Sequence, residues 1–242
     1  MDNYVKDYST TYQTGSVTGT LSSVYKNMFG WMAAALCLSA LSAFVVVDRI
    51  YASEAFANAY FSSPTMWILA IASFAMVLIL GGALHKMSMT MASLMFALYS
   101  VLMGAWIAPV LLVYTAESVT QVFLITAGTF AGMAVYGHIT SRDLSKMGSI
   151  LIMALWGVIL ASLVNMFMHS SGLSYIISYV AVAIFCGLTM YDVQKFKEMI
   201  YGYGGEADDN IRKIALIGAL NLYMDFLNLF LYLLRILGSR RD

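Results

Sequence analysis

Charged residues, proline and cysteine are all scarce in this sequence. Only 11% of the 242 residues are charged, against about 25% in a typical soluble domain, and the formal net charge is zero. A neutral chain lacks the basic surface with which proteins bind nucleic acid, so we expect no nucleic-acid partner. The two prolines leave the apolar segments nearly free of helix breakers. Cys37 and Cys186 lie in apolar segments without the spacing of a metal site, so we expect buried free thiols.

The sequence contains long apolar runs instead. Hydrophobic residues make up 61% of the chain and are grouped in seven blocks of about 20 residues, the length that a membrane core of about 30 Å requires. The sequence therefore predicts an all-α membrane protein with seven transmembrane helices. The predicted spans are 28–47, 66–84, 91–113, 119–137, 149–168, 174–192 and 214–237.

Polar segments flank this predicted membrane domain of residues 28–238. Residues 1–27 are predicted to form a flexible polar tail, and residues 239–242 a short charged one. The first tail has no basic segment followed by an apolar run, so we expect no cleaved signal peptide and a retained first span. The longest connection, residues 193–213, is polar.

The distribution of Lys and Arg predicts a cytoplasmic N-terminus. With that orientation, nine basic residues lie in the cytoplasmic tail and loops. Up to the sixth span, the opposite side has only Arg49. The seventh span disagrees, because Arg235, Arg240 and Arg241 follow it. This block is unbroken, so a full crossing is favoured over a re-entrant segment. The nine cytoplasmic residues are Lys6, Lys26, Lys86, Arg142, Lys146, Lys195, Lys197, Arg212 and Lys213.

Small residues recur at helix-contact spacing in two spans. Ser100, Gly104 and Ala108 step by four in the third span, and Gly128 and Gly132 form a G-x-x-x-G motif in the fourth. Such spacing lets helix backbones approach closely, and we expect packing within the bundle rather than dimerisation. The proline in the third span, at position 109, is expected to kink it.

An acid interrupts the last apolar block. Asp225 would cost roughly 2.5–3.5 kcal/mol at the centre of a bilayer-spanning helix. Asn221, Asp225, Asn228, Tyr232 and Arg235 are spaced by four, three, four and three, so they share one face of the helix. A polar stripe on an apolar helix is expected to face the bundle interior, which places the last span at the centre.

Asp192, at the cytoplasmic end of the sixth span, is the second intramembrane acid. If the sixth and seventh spans are neighbours, Asp192 and Asp225 can approach each other and share one proton. The pair would then act as a proton switch and, when ionised, as a transient oxygen-rich Ca²⁺ site. A purely structural role is the alternative, in which an acid pairs with a cation such as Lys86 at the end of the second span.

Enzyme motifs are absent. His85, His138 and His169 lie at the ends of spans without metal-ligand spacing, and there is no G-x-S-x-G serine, phosphate-binding loop or Schiff-base lysine in the last span. We therefore predict that the protein is not an enzyme and carries no cofactor, with Ca²⁺ as a possible transported ion.

Three motifs make the chain resemble the Bax-inhibitor family of membrane proteins, and its bacterial members in particular. They are L-Y-M-D-F-L-N-L-F at 222–230, Y-D-V-Q-K at 191–195 and G-H-I-T-S-R-D-L-S-K-M-G at 137–148. The resemblance implies that six helices surround the last one and that Asp192 and Asp225 match a paired-aspartate pH sensor in a calcium leak. It also implies that Lys86 stands where a relative has a latching arginine. Lysine keeps the charge but lacks the bidentate fork.

These observations favour a pH-sensitive cation leak channel, with Ca²⁺ as the expected ion, in a bacterial inner membrane. Asp192 and Asp225 would be the sensor and ion pathway, Lys86 the latch, and Asn221 and Asn228 the polar lining. A proton/cation exchanger using the same acids is one alternative. A non-conducting modulator of membrane proteases or of a stress response, acting through a membrane-protein partner, is another. The remaining expected partners are the lipid bilayer, Ca²⁺ and protons.

Overall fold

The structure is a computed structural model that describes the backbone of residues 2–202 and 209–241, and the side chains of residues 21–84, 86–202 and 211–241. Seven of its helices are long and apolar enough to cross a membrane, so the predicted all-α, seven-span class is confirmed. The α-helices in these ranges are α1 (Asp2–Ala52), α2 (Glu54–Tyr60), α3 (Ser63–Ala83), α4 (Met89–Val113), α5 (Ala116–Ile139), α6 (Ser145–Met168), α7 (Ser171–Gly202) and α8 (Asp209–Leu237), and a 3₁₀ turn spans Leu84–Lys86.

The helices are longer than the apolar blocks that predict them. Ser88 and Thr115 cap α4 and α5 by accepting hydrogen bonds from the backbone N–H groups of Met91 and Ser118. At its C-terminal end, α7 continues ten residues past the predicted limit, to Gly202. The polar link predicted at 193–213 is thus largely helical, and its residues 203–208 lie outside the described ones.

The last helix is the most enclosed of the seven. In α8, 72% of the most apolar segment is buried, compared with 6–44% in the other six spans. Its main contacts are with α1, α4, α5 and α7, while α6 packs chiefly on α7 and α3 on α4. Four spans therefore surround α8 directly, and α3 and α6 lie further out.

One of the two predicted small-residue motifs packs against another helix, and the other does not. A Cβ atom added to Gly104 would overlap the backbone of Ser39, so this position lets α4 approach α1 closely. Ser100 and Ala108 are also fully buried. Beside Gly128 and Gly132, in contrast, there is nothing within 4 Å of an added Cβ. The predicted packing of this G-x-x-x-G motif within the bundle is wrong, because its face of α5 points outward.

The short helix α2 was not predicted, and it completes the hydrogen bonding of α4. Pro109 has no N–H group, so the carbonyl of Ala105, four residues earlier, lacks its helical donor. The Tyr60 hydroxyl, at the end of α2, donates to that carbonyl at 2.6 Å. Burial raises the pKa of Tyr60 to about 12, which keeps this donor protonated.

The first helix begins before the predicted membrane domain. Its backbone is helical from Asp2, within the range predicted as a flexible tail, and Leu21 and Val24 are buried. Packing therefore starts before the predicted boundary at residue 28. Cys37 lies on the exposed surface and Cys186 is half-buried, so the thiols are free as expected but not fully buried.

The end of the chain docks where α1 and α4 also end. The backbone N–H of Thr115 donates to the carbonyl of Ser239, and the N–H of Arg241 donates to the carbonyl of Val113. The Arg241 guanidinium reaches the Tyr51 hydroxyl at 2.9 Å. The end of α8 therefore lies on the same side of the bundle as the end of α1, so α8 crosses the bundle completely.

Candidate functional site

The structure brings Asp192 and Asp225 together between α7 and α8. The two helices pack against each other, and the side chains are 9% and 7% exposed. They lie close enough for their charges to repel each other when both are ionised. Two acids 33 positions apart thus form one buried carboxyl pair.

Asp192 has both a hydrogen-bond donor and a nearby cation. The side-chain amide of Asn221 on α8 hydrogen-bonds to its carboxylate, and the charge of Lys195, one turn later on α7, also acts on it. The hydroxyl of Thr189, one turn before, donates to the carbonyl of Phe185 instead. Sequence reasoning missed Lys195 as the cation beside Asp192. The i, i+3 spacing within D-V-Q-K was the signal that could have identified it.

Asp225 is less well satisfied. Within the described part of the chain, its Oδ2 atom is buried and has no hydrogen-bond partner. A buried polar atom without a partner costs about 1–3 kcal/mol, and more when charged. A proton on the pair, or a cation beside it, would relieve this cost.

The described side chains do not cluster into a metal site of three or more ligands. Among the described residues no group of three or more His, Cys, Asp or Glu side chains is placed to hold a metal ion. Ca²⁺ takes six to eight oxygen ligands, so two carboxylates supply a minority of them. The transient Ca²⁺ site expected at these two acids stays a prediction.

Lys86 is exposed in the 3₁₀ turn after α3, and this turn packs against α8. Within the described ranges the structure records no ion pair between Lys86 and either aspartate. Lys195 is the cation that acts on Asp192 in the described state. The latching role of Lys86 stays a prediction about another state of the bundle.

The polar stripe of α8 divides into two parts. Asn221 belongs to the carboxyl pair, while the Asn228 amide donates to the carbonyl of Met224 on its own helix. Tyr232 and Arg235 lie towards the other end, with the guanidinium carbon 5.9 Å from the ring centroid. The residues of the pair therefore occupy one end of the stripe.

Two glycines of the 137–148 segment pack against the turn of α7 that carries Asp192. A Cβ added to Gly137 would overlap the backbone of Met190, and one added to Gly148 would lie 2.5 Å from the Tyr191 ring. A larger side chain at Gly137 would push the α7 backbone away, and one at Gly148 would displace the Tyr191 ring. The segment thus sets the position of Asp192 from outside the pair.

Gln194 fixes the loop between these glycines. Its side-chain carbonyl accepts a hydrogen bond from the Leu144 N–H, and its amide donates to the Arg142 carbonyl, both at 2.8 Å. The Ser145 N–H donates to the exposed Asp143 carboxylate and holds its pKa below the usual value. We name the 137–148 segment together with Gln194 the α5–α6 clamp.

A sequence model described as "Inhibitor of apoptosis-promoting Bax1" matches residues 21–242, nearly the whole chain. The chain belongs to the Bax inhibitor family. All three motifs on which the resemblance rests lie within the matched range.

Bacterial relatives in the family match over most of their length. The chain is 41% identical to the inner membrane protein YbhL of Escherichia coli K12, over 91% of this chain and 93% of that one. It is 44% identical to a protein of Borreliella burgdorferi, over 89% and 91% of the two chains. A Rickettsia prowazekii protein is 36% identical over the full length of both.

In this Bax inhibitor family member, the three motifs lie close together in the fold. L-Y-M-D-F-L-N-L-F lies in the most enclosed helix, Y-D-V-Q-K in the helix packed against it, and the third motif forms the clamp around the second. The protein is thus an integral membrane protein of this family, with its motifs gathered around one carboxyl pair.

Proposed function

We propose that the protein is a pH-sensitive cation leak of a bacterial inner membrane, with Ca²⁺ as the expected ion and a cytoplasmic N-terminus. The observation that carries the proposal is the buried Oδ2 of Asp225, which has no partner among the described residues and lies beside Asp192. The excess of Lys and Arg on one side supports the orientation. The name of the relative YbhL supports the inner membrane.

The proposed switch is the protonation state of the pair. A shared proton removes the repulsion between Asp192 and Asp225 and stabilises the closed bundle. When both carboxylates are ionised, repulsion and the unpartnered oxygen favour separation of α7 from α8 and entry of water and cations. Asn221 and Asn228 would line this path, and Lys86 would restore closure by pairing with one acid.

The test is Ca²⁺ flux into liposomes that contain the purified protein, measured from about pH 6 to about pH 8. Wild-type flux should rise with pH, because the pair loses its shared proton. Asp192→Asn and Asp225→Asn should give low flux that does not change with pH, because the amide cannot ionise. Asp48→Asn, at an exposed acid of α1, is the matched control and should behave like wild type.

Two results would replace this proposal. Wild-type flux and pH dependence in both aspartate variants would remove the pair from the mechanism and favour a non-conducting modulator of membrane proteases or of a stress response. Counter-transport of protons with Ca²⁺ at a fixed ratio would assign an exchanger that uses the same acids.

A further inference from the structure

A second polar site lies at the C-terminal end of α8, away from the carboxyl pair. The ends of α6, α7 and α8 enclose a partly open cavity of about 700 Å³. Asp225 precedes Arg235 by ten residues, or about 15 Å along a helix. The cavity shares no lining residue with the carboxyl pair and is independent of the proposed function.

The cavity is positively charged. Arg235 and Arg240 both line it, together with His169, and none of its described lining residues is acidic. Asn165 and Ser174 add neutral polar groups, which hydrogen-bond to each other at 2.7 Å. Two guanidinium groups without an acid at one cavity attract an anion.

The positions of both arginines are supported by neighbouring groups. The Arg235 guanidinium lies over the Tyr232 ring. Arg240 forms a β-bridge with Tyr114, and the residues on either side of it hydrogen-bond to the α4–α5 connection. Ser171, the first residue of the long helix α7, also lines the cavity, so the positive end of that helix dipole faces the same space.

We propose that this cavity binds a phosphate group. A phosphate presents several oxygens to two guanidinium forks and to a helix N-terminus at once, which a single carboxylate does less well. The volume exceeds that of a phosphate ion and leaves room for the part of a molecule attached to it. Two sources supply this chemistry at the end of a membrane helix: free inorganic phosphate and the headgroup of an anionic phospholipid.

The test uses the purified full-length protein and two probes. Binding of inorganic phosphate is measured by calorimetry in detergent, and retention of phosphatidylglycerol is measured by native mass spectrometry. Arg235→Gln and Arg240→Gln should each weaken binding roughly tenfold, the effect expected from the loss of one hydrogen bond to a charged group. Both arginines are exposed, so the fold should be retained, and Arg235→Lys should bind with intermediate affinity.

Arg49→Gln is the matched control. Arg49 is exposed on the same side of the bundle but does not line the cavity, and its replacement removes the same charge. If the cavity variants lose binding of inorganic phosphate and Arg49→Gln does not, the proposal is supported with a soluble ligand. If the cavity variants lose only the retained phosphatidylglycerol, the proposal is supported with a lipid ligand. No binding of either probe, or equal loss in Arg49→Gln, would overturn the site.

Discussion

The middle and the C-terminal end of α8 carry opposite charges in different surroundings. In the middle of the helix Asp225 is buried against Asp192, with an oxygen that has no partner in the described structure. In the last turn of the helix Arg235 is exposed at an open cavity. An exposed charge keeps its hydration and costs little, whereas a buried one needs a partner or a proton. The buried acid therefore depends on precise packing, and the exposed arginine does not.

The largest effect is expected where packing sets the position of the acids. Gly137→Val would force α5 away from Met190 and so displace Asp192, at a cost of about 1–3 kcal/mol or more. Gly132→Val, on the same helix beside open space, is the matched control and should cost under about 0.5 kcal/mol. The measurement is the free energy of unfolding in mixed micelles. Equal losses of stability in the two variants would show that the close approach of α5 to α7 does not contribute to stability.

Gln194, the part of the α5–α6 clamp that comes from α7, should give the next largest effect. Gln194→Leu keeps the size of the side chain but leaves the Leu144 N–H and the Arg142 carbonyl without partners. Each such loss costs about 1–3 kcal/mol when buried. Limited proteolysis of the loop at residues 140–144 should become faster. Gln121→Leu is the control, because Gln121 is exposed and bonds to Glu117 within α5. No change in cleavage would exclude the clamp as a support of α7.

The sequence predicted the two buried acids but not the contacts that hold them in place. An acid in an apolar block conflicts with its surroundings, so Asp192 and Asp225 were visible without a structure. Gln194 was not, since a polar residue near the end of a span is unremarkable until its partners in another loop are known. Gly104 and Gly128 show the same limit. Spacing tells which residues share a helix face, but not whether another helix covers that face.

A direct comparison of Asp225 and Arg235 uses one neutral substitution at each. Asp225→Asn removes a buried charge and its repulsion with Asp192, so we expect the protein to gain about 1 kcal/mol of stability at neutral pH while losing its proposed switch. Arg235→Gln should change the free energy of unfolding by less than about 0.5 kcal/mol. Chemical denaturation of both variants checks this. Destabilisation by Asp225→Asn would mean that the carboxylate is better satisfied than its geometry indicates.

The last effect concerns the side of the bundle where α1 ends, and there Tyr60 supports α4. Tyr60→Phe removes the donor to the Ala105 carbonyl and should cost about 1 kcal/mol. Pro109→Ala restores a backbone N–H for that carbonyl, so in this background the loss should shrink, which a double-mutant cycle measures. An undiminished loss would show that Tyr60 acts through packing alone.

The pKa of Tyr60 adds a pH test of the same bond. Burial raises this pKa from 10.0 to about 12 in the folded protein. The corresponding stability is fully present below pH 10 and is lost as the pH rises through about 12, because the unfolded state then releases the proton more easily. The difference in stability between wild type and Tyr60→Phe should therefore be constant up to about pH 9 and narrow above it. A constant difference throughout would mean that the hydroxyl is not buried.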